Sequence, residues 1–178
     1  MTARLLVQGR PGAGKSTAAR RLVDILRARG VPVRGFTTEE IREGGRRVGF
    51  AVNAVDGHRG VLAHVDIGGP VRVGRYGVDL TEFERVALPS LGDPEPGGVV
   101  MIDELGKMEL ASAAFRDAVQ RLVDSRFPLV ATVHVHRYPF TDALKRHIEV
   151  VRLAAGNRDR LPGELADRLT PGSPGRCR

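Results

Sequence analysis

The chain has little cysteine, few aromatics, almost no lysine and no long apolar run, and each shortage excludes something. Cys177 is the one cysteine among 178 residues, so no internal disulfide can form, which fits a reducing cytosol. No stretch approaches the roughly 20 apolar residues that cross a bilayer. The first apolar run is a few residues long and lacks a secretory pattern. The expectation is a soluble, cytoplasmic chain without a membrane partner. Aromatics make up 4% of the residues, with no tryptophan, too few to offer a platform for stacked bases. Lysine occurs only at positions 15, 107 and 145, so arginine carries nearly all of the basic charge behind the net +7. A basic surface attracts nucleic acid or anionic membranes. Here the arginines are scattered, within a general bias toward Arg, Ala, Gly and Val, which argues against nucleic acid as the main partner. No internal repeat is visible. What remains is ordinary: 42% apolar residues and a length that suits one domain with a sizeable core.

Gly9-Arg10-Pro11-Gly12-Ala13-Gly14-Lys15-Ser16 fits G-x-x-x-x-G-K-[ST], a phosphate-binding loop. Its glycines let successive backbone N–H groups converge on an anion. Lys15 supplies a point charge for β- and γ-phosphates, and the Ser16 hydroxyl is a magnesium ligand. The helix beginning here, with Thr17 in its first turn, aims its positive dipole end at the same place. The flanks agree: Leu5-Leu6-Val7 reads as a buried strand. Ala18, Leu22, Ile25 and Leu26 recur at helical spacing before a stop at Gly30.

Further on, Val31 to Thr38 reads as a strand, and Val48 to Val55 as another, ended by the hairpin signal Asp56-Gly57. A short strand at Val61 to Val65 and a Gly/Val-rich stretch over 68–79 complete an antiparallel β excursion of about 38–79. Thr81 and Glu84 have the form of a capping box for a short helix that stops at Pro89. Val99 to Ile102 and Leu129 to Val133 are continuous apolar runs, as expected of buried parallel strands, with a helix spanning Ala111 to Val123 between them. A short helix at 140–147, a strand at Ile148 to Leu153 and a helix at Arg158 to Leu169 follow. Residues 1–169 form a single expected domain, and 170–178, rich in Pro and Gly, a mobile tail. Strands alternating with helices imply an α/β fold, a mostly parallel sheet covered on both faces, with ligands at the carboxyl ends of its strands.

Val99-Val100-Met101-Ile102 delivers Asp103 and Glu104 to that edge. Asp103 is a Walker-B acid, holding magnesium directly or through water. Glu104 points elsewhere because strand side chains alternate, and suits a base that deprotonates water for attack on a γ-phosphate. The two acids can instead cap the following helix. An acid beside the Walker-B Asp favours hydrolysis over transfer to a substrate hydroxyl. No guanine-reading N/T-K-x-D motif is present; Asn157-Arg158-Asp159 lacks its lysine and spacing.

The octet Asp103-Glu104-Leu105-Gly106-Lys107-Met108-Glu109-Leu110 resembles the D-E-I-G-K-M-E-L signature of the THEP-type nucleoside-triphosphatases. Similar blocks run from Gly30 to Phe36 and Thr38 to Arg42, from Gly45 to Phe50, from Arg75 to Leu80, and at Asn157-Arg158, in order along nearly the whole chain. The resemblance implies a RecA-like P-loop fold and magnesium-dependent hydrolysis of nucleoside triphosphates (ATP, GTP, CTP, UTP and their deoxy forms) to diphosphate and phosphate. Broad base tolerance and slow turnover are implied with it. Phosphate-loop roles map onto Gly9 to Ser16, and Walker-B roles onto Asp103 and Glu104. Leu105 replaces the commoner Ile, and His134 and His136 depart from the pattern.

Other residues carry weaker signals. Lys107 either reaches the γ-phosphate, as the resemblance suggests, or is a solvated lysine at a helix start. Arg137 is a candidate γ-phosphate sensor. Thr132 either hydrogen-bonds the attacking water or is a plain strand threonine. His134 and His136 share one strand face at a spacing zinc sites use, but without a third ligand. Asn157 and Arg158 either contact base or ribose, or form a helix cap and a surface arginine. Two other functions stay open: a nucleoside or nucleotide kinase, and a nucleotide-gated module that binds RNA or protein. The oligomeric state has no visible signature.

Overall fold

Strand alternation decides which layer each core side chain joins. The computed structural model describes residues 2–170; Cys177 and all but the first residue of the expected tail lie outside them. Along the chain come β1 (Arg4–Gly9), α1 (Lys15–Ala28), β2 (Val33–Glu43), β3 (Arg46–Ala54), β4 (Arg59–His64), β5 (Arg72–Val73) and β6 (Tyr76–Val78). Then follow α2 (Leu80–Ser90), β7 (Val99–Leu105), α3 (Ala113–Asp124), β8 (Leu129–His134), α4 (Pro139–Leu144), β9 (Glu149–Arg152) and α5 (Leu161–Leu169). The strands form one sheet of order β5-β6-β4-β3-β2-β7-β8-β1-β9.

In β7, Val99 and Met101 face one side of the sheet, where they meet Leu5 and Val7 of β1, Leu22 and Leu26 of α1, and Leu165 of α5. Val100 and Ile102 face the other, against Phe83 of α2 and Phe115 of α3. Phe36 of β2 joins those two rings at centroid distances of 5.8 Å each. The continuous apolar runs are therefore buried on both faces, as their lack of polar alternation requires.

From β2 to β9 across β7, β8 and β1 all pairings are parallel. β2 belongs to two neighbourhoods. Val33 to Phe36 pair in parallel with Val99 to Ile102 of β7. The same strand runs on past the end of that pairing to Glu43, antiparallel to β3, with β4 and then β6 and β5 added outside it. The β excursion is thus a set of antiparallel strands added to the parallel core by way of β2, which belongs to both.

Three local expectations are corrected. The cap of α2 is Asp79, whose carboxylate accepts from the Glu82 N–H at 2.9 Å; Thr81 is already inside the helix, and Glu84 accepts from the Ser112 hydroxyl at 2.6 Å instead of reaching back. Pro89 does not stop α2, which runs one residue further to Ser90: the ring's fixed φ is compatible with a helical turn, at the cost of the one ladder bond its missing N–H would make. The final helix starts at Leu161, not Arg158, after a turn over 155–160.

Candidate active site

β1 ends at Gly9, the chain curls through 10–14, and α1 starts at Lys15. Gly12 and Gly14 have φ of 76° and 96°, the left-handed region that a side chain disfavours. Gly14 is the cap residue of α1, no side chain caps the helix, and its first turn contains no acid. Its leading N–H groups are therefore open to an anion, with the positive end of a 14-residue helix behind them. Lys15 is buried. Its Nζ donates to the carbonyls of Gly9 at 3.2 Å and Arg10 at 3.4 Å and lies 3.6 Å from Glu104 Oε2. The ammonium is thus held at the mouth of the loop.

Asp103, at the far end of the buried part of β7, is completely enclosed. The strands on either side supply its partners. Thr38 of β2 donates its N–H and its hydroxyl to Oδ2, each at 3.1 Å, and Thr132 of β8 donates its hydroxyl to Oδ1 at 2.6 Å. Burial raises the carboxyl pKa despite these bonds, which act in the opposite sense. Ser16 Oγ is 3.4 Å from Thr38 Oγ1, so Ser16, Thr38 and Asp103 form a chain of hard oxygen donors. That donor set suits magnesium, which prefers oxygen and keeps several waters. Among the described residues no group of three His, Cys, Asp or Glu side chains is placed to hold a metal ion by itself. A cation here would lean on substrate phosphates, as is usual for magnesium. The same finding leaves His134 and His136 without a third ligand. β8 ends at His134, so His136 lies beyond the strand.

Glu104 faces the opening. The register of β7 on β8 shifts between Ile102 and Leu105, and the Asp103–Glu104 peptide is cis. Its Oε2 faces Lys15 and its Oε1 contacts His134 Nε2. Both groups line a cleft of about 850 Å³ with Ser16, Thr17, Lys107 and Glu109. Lys107 is exposed at its edge. Glu109 is buried, and its pKa is raised to about 8, chiefly by desolvation and then by the negative charge of Glu104.

The remaining candidates are placed as follows. Pro11, Gly12 and Gly14 line the cleft, whereas Arg10 is exposed outside it. Thr132 is buried with its hydroxyl given to Asp103. Arg137 lines the rim, 98% exposed, with its Nε 3.9 Å from Asp142. Asn157 and Arg158 follow β9, whose neighbour is β1. The Asn157 side chain accepts from the Ala154 N–H at 2.9 Å and donates to the Arg152 carbonyl at 2.8 Å. Neither residue lines the cleft.

A family model described as NTPase matches residues 4–166. The chain belongs to this NTPase family. It is 39% identical over 165 residues to the nucleoside-triphosphatase THEP1 of Thermotoga petrophila, covering 91% of this chain and 90% of that one. The human cancer-related nucleoside-triphosphatase is 44% identical over 135 residues, 70% of this chain and 71% of its own. The crystal structure of THEP1 from the hyperthermophile Aquifex aeolicus superposes with a TM-score of 0.82 at 30% identity, covering 93% of this chain and 98% of that one. The solution structure of the human cancer-related protein gives 0.82 at 34% identity, covering 96% and 99%. The fold is the RecA-like P-loop NTPase fold expected from the sequence.

For an NTPase of this family, the cleft residues to which the sequence assigned no role include Thr38, Glu109, Arg20 and Arg47. Thr38 had a legible signal, being a hydroxyl at the end of the strand read from Val31 to Thr38. Arg20 donates to the Thr38 carbonyl at 3.3 Å from one helical turn past Ser16, a spacing that points it at the loop. Glu109 stood only as a member of the octet 103–110, since nothing local announces a buried carboxyl. Arg47 comes from the β excursion, where it bonds Glu40 at 2.9 Å and the Tyr76 oxygen at 3.0 Å.

Proposed function

We propose that this chain hydrolyses nucleoside triphosphates to diphosphate and inorganic phosphate with magnesium, slowly and with broad base tolerance. The observation that carries the reading is the position of Glu104. Its carboxylate lies 3.6 Å from the phosphate-loop ammonium and faces the cleft where a γ-phosphate would extend from the loop. The open N–H groups of α1 and Lys15 bind the β- and γ-phosphates. Glu104 takes a proton from water, the water oxygen forms a bond to the γ-phosphorus, and the bond from that phosphorus to the β–γ bridging oxygen breaks. The diphosphate leaves with that oxygen. Ser16 and Asp103 would hold magnesium, Asp103 from behind Thr38, and a bound cation would offset charge on the phosphate oxygens. Lys107, at the rim, is assigned to the same developing charge.

Base tolerance is supported by the absence of a guanine-reading motif, and by the phosphate loop and both acids all addressing the triphosphate. A phosphate-release panel over ATP, GTP, CTP, UTP and their deoxy forms, with magnesium and with EDTA, tests the reading. Similar rates across the bases and loss in EDTA are expected. Glu104→Gln should lower kcat by about 10²–10⁴ while nucleotide still binds; full turnover in that variant removes hydrolysis through Glu104. Lys15→Ala should weaken triphosphate binding itself, and equal affinity by titration contradicts its assignment.

One observation favours a second reading. The cleft extends past the loop to Phe50 and Val73 of the β excursion, leaving room for a phosphoryl acceptor. A kinase would pass the γ-phosphate to an added nucleoside or nucleotide and release little phosphate without one.

A further inference from the structure

His134 is the last residue of β8, and its backbone is gripped from two directions. Its carbonyl accepts from Gln8 Nε2 at 3.3 Å and from Lys145 Nζ at 3.0 Å. Its Cα is in register with Gly9, where the phosphate loop begins. The side chain therefore leaves a fixed backbone position. Its Nε2 contacts Glu104 Oε1. Its Nδ1 is buried and has no hydrogen-bond partner among the described residues. A buried N–H without an acceptor is rarer and costlier than an under-used acceptor. A carboxylate only accepts, so Nε2 carries a proton and donates it to Glu104 Oε1.

Glu104 is thus bridged, with Oε1 on His134 and Oε2 facing Lys15 at 3.6 Å. The two partners differ in what a triphosphate does to them. Lys15 is an ammonium on a flexible stem whose present partners are two loop carbonyls and one carboxylate, and a polyanionic triphosphate at the loop competes for it. His134 lies outside the phosphate loop, and its ring is aimed at Glu104 from a clamped strand end. We propose that His134 is a positioning residue for the hydrolysis: it retains Glu104 by Oε1 when Lys15 turns to the phosphates, leaving Oε2 free to meet the attacking water. This rests on the reading of Glu104 as the base that activates water.

The test is a pair of near-isosteric variants read by kcat and KM separately, with nucleotide affinity measured by titration. The side-chain nitrogen of glutamine reaches the place of the histidine Nε2; that of asparagine matches Nδ1 and falls short. His134→Asn should lower kcat about tenfold to hundredfold, the scale of a misplaced catalytic group, with KM and affinity little changed. His134→Gln should restore most of kcat. A loss of kcat shared equally by the Gln and Asn variants, or kcat unchanged in both, overturns the positioning role. Adding His134→Asn to Glu104→Gln should cost little more than Glu104→Gln alone, since the two act as one unit; fully additive losses also overturn it. The two readings fail separately. If Glu104→Gln keeps full turnover, the base assignment itself is wrong, whereas a crippled Glu104→Gln beside a fully active His134→Asn refutes only the role of His134.

Discussion

The two halves of the sheet are built on different rules. On the β7–β8–β1 side every central strand is buried on both faces, and its chemistry is confined to the strand tips, where Asp103, Thr132 and Gly9 emerge. On the β3–β6 side one face packs on α2 through Val52, Leu62 and Val78, while charged side chains such as Arg46 and Arg47 stand exposed. β2 belongs to both. Where it leaves β7 it presents Thr38 to Asp103, and immediately beyond it presents Glu39 and Glu40 to the cleft. The excursion is coupled to the buried acid through one strand that overshoots its neighbour.

The strongest way to break that arrangement is to disturb the seam between β2 and β7. Gly35 has a φ of 107°, and a Cβ there would lie 1.8 Å from the Met101 carbonyl oxygen. Both the backbone conformation and the close approach demand glycine. Gly35→Ala should cost more than about 4 kcal/mol, the range reserved for strain combined with core disruption. Urea unfolding followed by circular dichroism checks it. A loss under about 1 kcal/mol would mean that the two halves can part without penalty.

Glu109 probes the cleft side of the same boundary. Its pKa in the folded chain is about 8, against 4.5 as its ordinary value. Between those pH values the folded state keeps a proton that the unfolded chain has lost, so stability falls as pH rises from 4.5 toward 8 and levels off above. Glu109→Gln removes that slope. The variant should match the parent near pH 4.5 and exceed it by about 1–4 kcal/mol at pH 9, under the ceiling of about 1.4 kcal/mol per pKa unit. Denaturant titrations of nucleotide-free protein at both pH values decide it. A variant that is no more stable at pH 9 would show that burial in the fold does not penalise the ionised carboxyl.

Thr38 and Thr132 make the comparison direct, because they donate to the two oxygens of one carboxylate from the two halves of the sheet. Each valine replacement removes a hydroxyl bond to a charged or buried group, a term of about 1.5–3 kcal/mol. Thr132→Val should be felt mainly as stability, since the residue is enclosed. Thr38→Val should also lower kcat, since its hydroxyl is 3.4 Å from Ser16. Equal kcat in the two variants would erase the distinction between the joint and the core.

What could be read beforehand followed the range of the interactions. The phosphate loop, the buried strands and the pair Asp103-Glu104 were legible because glycine spacing and apolar runs are local signals. The partners of Asp103 were not, since they depend on the register of strands 65 and 29 residues away. Glu109 and the contact between His134 and Glu104 were hidden for the same reason: burial and side-chain approach are set by the assembled sheet.

The cap of α2 shows this in its smallest form. Thr81 with Glu84 and Asp79 with Glu82 both carry an acceptor followed by an acid three residues on, so the local pattern supports either start. The tertiary structure chooses. Ser112, which caps α3 by accepting from the Phe115 N–H at 3.0 Å, donates its hydroxyl to Glu84 at 2.6 Å. Glu84 is thereby drawn to the neighbouring helix and cannot serve Thr81, while Asp79 is free to bond the Glu82 N–H. Asp79→Ala should therefore cost about 1 kcal/mol, the usual worth of a side-chain cap, and Thr81→Ala should cost clearly less. Paired thermal melts settle the order. If Thr81→Ala proved the more damaging, the helix would start two residues later and Glu84 would belong to its own cap rather than to Ser112.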